Sequence, residues 1–129
     1  MLDYMLVMLG GALGTGARFW VSGFVAERTE TVFPLGTLIV NVTGCFVIGV
    51  FAAFTDPEGR FLVSPGFRQF FMIGVCGGYT TFSSFSLQTL DLIRDGDWFK
   101  AGVNTLLSFV LCLAAAGLGR ILALTTFPK

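Results

Sequence analysis

The chain has 129 residues, 54% of them hydrophobic and only 12% charged, with 17 glycines and no histidine. Eight Lys+Arg balance eight Asp+Glu. A soluble domain carries about 25% charged residues, so a water-soluble globule is excluded. Nucleic-acid binding, which needs a basic excess, is excluded too. So are histidine catalysis and histidine metal ligation.

The charges fall in clusters. The chain is uncharged from Thr31 to Thr55, from Gln69 to Leu90 and from Ala101 to Gly119, and Arg18 is the only charge between Asp3 and Glu27. A membrane helix needs about 20 predominantly apolar residues. Four segments qualify, at about 4–26, 35–55, 67–93 and 99–124, and the chain reads as one all-α transmembrane domain, 1–129.

The first segment lacks a basic leader, because Asp3 alone is charged before Arg18, so it reads as a retained helix rather than a signal peptide. It holds the GxxxG pair Gly10 and Gly14, a spacing that lets membrane helices approach closely, within one chain or between two. Arg18 lies inside the apolar run, where a charge either serves a function or snorkels to the interface. Glu27–Glu30 and Pro34 close the segment, and the second then runs over 35–55 with Asn41 near its middle.

The third segment contains Gly77-Gly78-Tyr79-Thr80-Thr81-Phe82-Ser83-Ser84-Phe85-Ser86. Two glycines followed by clustered hydroxyl residues are poor helix formers. An interrupted helix is expected there. Broken backbone survives in a membrane only when it is buried in protein or lines water. It frees carbonyls for a cation and helix N-termini for an anion. After the turn Arg94–Asp97, the fourth segment carries Ser108 and the small pair Ala115 and Gly119.

Four spans place Arg60, Arg68, Arg120 and Lys129 on or toward one side of the membrane, and Arg18, Arg28, Arg94 and Lys100 on the other. The positive-inside signal is then nearly cancelled. Insertion in both orientations is expected, with two opposed copies pairing as an antiparallel homodimer. The helix cores contain no Asp, Glu or His, which argues against a proton-coupled exporter. The polar groups available are mostly donors, including Asn41, Thr80, Thr81, Ser83, Ser84 and Ser108, and donors suit a small anion. Phe82 and Phe85 share a helix face, where their electropositive ring edges can meet an anion or simply pack.

Gly36-Thr37-Leu38-Ile39-Val40-Asn41, the helix-three run Gly74 to Ser86, and Gly11–Gly14 with Arg18 together resemble the CrcB/Fluc fluoride channel family over the whole chain. The resemblance implies a passive fluoride-selective channel in the bacterial plasma membrane. It implies an antiparallel, dual-topology homodimer with two pathways that lets fluoride leave the cytoplasm and lowers its toxicity. It also implies a structural Na⁺, not transported, on the two-fold axis, held by the backbone carbonyls of Gly77 and Thr80 in each copy. By the same resemblance Asn41, Phe82, Phe85 and Ser108 line the fluoride pathway, with Thr81 and Ser83 among its hydroxyls, and Arg18 stands in the vestibule.

The chain departs from that pattern at Gln88, where many relatives carry Glu, and at Cys112, where some carry Ser. Cys45, Cys76 and Cys112 read as free thiols. No catalytic constellation is present, so no enzymatic activity is expected. The competing classes are a dual-topology exporter of small molecules or cations and a membrane assembly factor.

Overall fold

The computed structural model describes residues 1–57 and 61–126. Arg60 and Lys129, two of the charges counted for orientation, lie outside the described residues. Those described form helices and connections only, with no strand.

Helix α1 spans Leu2–Arg28, with Asp3 in its first turn and Arg28 in its last, both favourable to the helix dipole. Helix α2 spans Leu35–Phe54 and starts directly after Pro34. The third segment is divided in two. Its first half, α3, covers 65–79, beginning at Pro65 with Ser64 as N-cap, whose hydroxyl accepts from the Phe67 amide at 3.2 Å. Its second half, α4, spans Phe82–Arg94. Helix α5 spans Trp98–Thr126.

Between α4 and α5 the chain reverses at Gly96, whose φ of 82° is the left-handed conformation that suits glycine at a helix C-terminus. The Gly96 and Asp97 amides donate back to the Ile93 and Leu92 carbonyls. Asp97 then receives the Lys100 ammonium at 2.6 Å, and that hydrogen bond holds its carboxyl below the usual range.

Three stretches are long and apolar enough to cross a membrane: Leu35–Phe54, Pro65–Arg94 and Trp98–Thr126. At 27 residues, α1 extends about 40 Å, well over the hydrocarbon thickness of about 30 Å. It is less apolar because glycines, Thr15 and Arg18 occupy its middle. The chain is a multi-pass membrane protein.

The helices associate through two parallel seams built on small residues. In the first, α1 lies against α3. A Cβ on Gly10 would meet the Phe70 carbonyl, and one on Gly14 would meet the Val75 carbonyl and stand 2.8 Å from the Tyr79 nitrogen. The match is reciprocal, since a Cβ on Gly78 would stand 2.6 Å from the Gly11 carbonyl. In the second seam α2 lies against α5. Gly49 faces the backbone of Ala116, and Gly119 sits between Phe46 and Val50. The GxxxG pair and Gly119 thus serve packing within the chain.

The two seams are joined through α2, which runs antiparallel to the third segment. Phe51 stacks on Phe71 with centroids 4.2 Å apart at one end, and Asn41 meets Thr81 in the middle.

One feature goes beyond the sequence expectation. Residues Phe70–Cys76 of α3 form a π-helical stretch. Such turns add a residue to the helical repeat and widen the coil. Here the widened coil lies along the glycine seam with α1, between the contacts at Gly10 and Gly14.

Candidate functional site

The break in the third segment is two residues long. Thr80 (φ −77°, ψ 157°) and Thr81 (φ −152°, ψ 108°) are extended, so α3 stops at Tyr79 and α4 starts at Phe82. Buried extended backbone needs partners. Asn41 of α2 supplies them. Its Oδ1 accepts from the Thr81 amide at 2.7 Å, and its Nδ2 donates to the Thr81 carbonyl at 3.0 Å.

The remaining groups are satisfied locally or left free. Thr81 caps α4, its hydroxyl accepting from the Ser84 amide at 3.1 Å. The Thr80 amide donates to the Cys76 carbonyl at 3.0 Å. In a continuous helix the Thr81 amide would serve the Gly77 carbonyl; drawn away to Asn41, it leaves that carbonyl without its helical donor.

Close approach of α2 makes this arrangement possible. A Cβ at Gly44 would collide with the Thr80 methyl group and stand 3.0 Å from the Tyr79 ring. Nearby, the Thr43 and Tyr79 hydroxyls share a hydrogen bond of 2.9 Å.

Beside the break lies a cavity of about 580 Å³. It gathers Asn41, Gly77, Thr80, Thr81, Phe82, Phe85 and Ser108, seven of the nine candidate residues. The Phe82 and Phe85 rings stand 5.3 Å apart and are tilted by 50°. Ser108 is buried, and its hydroxyl has no hydrogen-bond partner among the described residues. No carboxylate lines this cavity. It is open on one flank, where Phe82 keeps 79% of its surface exposed and Phe109 keeps 68%.

Two candidates lie outside the cavity lining. Ser83 is exposed, and its hydroxyl sits 3.2 Å from the Thr81 hydroxyl. Arg18 approaches the break from the α1 side, its guanidinium donating to the Thr80 carbonyl over a long 3.4 Å. Among the described residues it has no carboxylate partner, so its charge is felt at the break uncompensated.

A second cavity of about 550 Å³ lies near the ends of α1 and α4 and is lined in part by Gln88, Asp91 and Asp95. Its two carboxylates disfavour an anion, whereas the first cavity offers donors and ring edges.

Sequence reasoning gave Gly44 and Phe109 no role in the site, and it counted Thr105 and Asn104 only among the polar groups available to an anion. Gly44 is needed for the approach of α2, and Thr105 and Phe109 complete the α5 wall. Asn104, 1% exposed, ties α5 to α4 by donating to the Thr89 hydroxyl at 2.9 Å. Thr105 lies three residues before Ser108, and Asn104 one turn before it. Gly44 carries no signal apart from its partner.

Residues 5–120 match the family model described as CrcB-like protein, Camphor Resistance (CrcB). The chain belongs to this CrcB family. Similar curated proteins include the fluoride-specific ion channel of Methylocella silvestris, 57% identical over 95% of this chain and 93% of its own length. Another is that of Opitutus terrae, 59% identical over 93% and 91% of the two chains. A third, from Paramagnetospirillum magneticum, is 52% identical over 95% and 96%. All three carry the name of a channel, and this CrcB-family chain is not an enzyme.

Proposed function

We propose that the chain is a passive, fluoride-selective channel and that the cavity beside the helix break is its ion pathway. The observation that carries this reading is a buried Ser108 hydroxyl without a hydrogen-bond partner, on a residue that shares with Phe82 and Phe85 a cavity no carboxylate lines. Fluoride is small and strongly hydrated, so a pore must replace its water with donors. Ser108 offers an O–H with no competing acceptor. Asn41 keeps one Nδ2–H beyond the hydrogen bond to Thr81. The ring edges of Phe82 and Phe85 add weak positive contacts and exclude water. The N-terminus of α4 opens at the same level and favours negative charge. Binding must be firm enough for entry and loose enough for exit.

The open flank at Phe82 and Phe109 calls for a cover, and a second, antiparallel copy would close it by two-fold symmetry. Near-equal basic charge on the two sides supports insertion in both orientations. A structural Na⁺ fits the donor set at the break. Hard cations take oxygen ligands, and the Gly77 carbonyl has lost its helical donor. With the Thr80 carbonyl it would supply two ligands from each copy, and the ion would add a fixed positive charge between the pathways. Net export follows because fluoride enters an acidified cell surface as neutral HF and leaves as an anion, driven by the inside-negative potential.

Reconstitution in liposomes tests the reading. Fluoride efflux should far exceed chloride efflux, should require sodium, and should fall at least severalfold in Phe82→Ile while the protein still assembles. Equal fluoride and chloride fluxes, or full flux in Phe82→Ile, would remove the proposal.

A further inference from the structure

All three cysteines, carried by three different helices, line the one cavity, together with Asn41 and Ser108. The α2–α5 register places two of them opposite each other. Gly49 faces Ala116 where the backbones are closest. One turn back on each parallel helix stand Cys45 and Cys112, and one turn further back stand Asn41 and Ser108. The Cys45 and Cys112 side chains are within interaction range of each other, and both are partly exposed. Cys76 is separate. It is buried at 3% exposure, and among the described residues no three of the ligating side chains stand close enough to hold a metal together.

Two facing thiols with no third ligand, in a wall without carboxylates, form a donor set for a soft cation of linear preference. Thiolates select soft ions, while hard ions need oxygen ligands. A divalent ion held by two thiolates is neutral overall, which suits a low-dielectric site. We propose that Cys45 and Cys112 form a two-thiolate site for a soft divalent cation such as mercury(II). On binding, each S–H bond breaks and its proton passes to water. Two S–Hg bonds form as the two Hg–Cl bonds of mercury(II) chloride break and the chlorides leave to water, and no electron is transferred. The bound ion sits one turn from Asn41 and Ser108 and narrows the cavity, so fluoride flow stops. That last consequence rests on the cavity being the fluoride pathway.

The test uses the full chain and mercury(II) chloride. In a Cys76→Ala variant in detergent, both remaining thiols should disappear at one equivalent of metal per chain. Intact mass should show one mercury on a single chain with two protons lost. A need for two equivalents, or mercury found only between chains, overturns the site. In liposomes, mercury(II) should abolish fluoride efflux, reversibly with excess dithiol. Losing one ligand should raise the mercury(II) needed by about 100-fold, since the second thiol acts as an intramolecular ligand. Cys45→Ala and Cys112→Ala, each read against its own metal-free rate, measure that shift. An unchanged requirement in both also overturns the site. If the one-to-one titration holds while flux is untouched, the metal site stands and it is the pathway reading that falls.

Discussion

The two parallel seams use the same device and end differently. Along α1 and α3, glycine meets glycine over two turns, and the backbones touch with no space between them. Along α2 and α5, Gly49 and Gly119 bring the backbones together toward the C-terminal ends of the two helices. Toward the break the facing positions of the same seam are Cys45 with Cys112 and Asn41 with Ser108, and all four line the cavity. The first seam is a scaffold. The second is a line of small residues beside a polar cavity. Small residues fix where backbones meet, and the place where they are missing fixes where a cavity can form.

The contrast can be broken most sharply at Asn41. Asn41→Ala leaves the Thr81 amide and carbonyl buried without partners, at about 1–3 kcal/mol each. Thermal unfolding in detergent should show the loss, and fluoride efflux should vanish. A stable, conducting variant would mean that the break holds itself open.

Gly14→Ala tests the closed seam. Its new methyl group meets the Val75 carbonyl, which as helix backbone cannot step aside, and overpacking of this kind costs about 1–3 kcal/mol. The same unfolding measurement reads it, and a melting temperature equal to the parent's would show that the seam can spread.

Ser108→Ala separates conduction from stability in the second seam. Removing a hydroxyl without a partner should leave stability within about 0.5 kcal/mol, while fluoride flux falls severalfold. Gly16→Ala should do least harm. A Cβ there meets nothing within 4 Å among the described residues, so stability should change only by the helix-propensity gain of about 1 kcal/mol at most. A large loss of assembly in that variant would place the second copy against this face of α1.

Much of this was legible because membranes impose long apolar runs bounded by charge. The helix limits follow Glu27–Pro34, Asp56 onward and Arg94–Asp97, where charges and breakers cluster. The break was visible in Gly77–Ser86 because clustered Gly, Thr and Ser weaken a helix wherever they stand. Its location to two residues was not, since it depends on Asn41 arriving from another helix. Asn41 itself was read as a donor to an ion, yet most of its hydrogen-bonding capacity is spent on the Thr81 backbone. The π-helical stretch in Phe70–Cys76 left no trace in composition, because its residues are ordinary apolar ones that also form α-helix. The facing of Cys45 and Cys112 was equally hidden, since it requires the register of two helices separated by the whole third segment.

That separation has a consequence in time. The walls of the cavity come from α2, from the break and from α5, and α5 leaves the ribosome after the other two. Domains assemble as their elements emerge during synthesis, and contacts distant in sequence form late. The closed α1–α3 seam can therefore form while α5 is still being made. The cavity has no second wall until α5 has been made, so its lining is completed only after the α1–α3 scaffold can form.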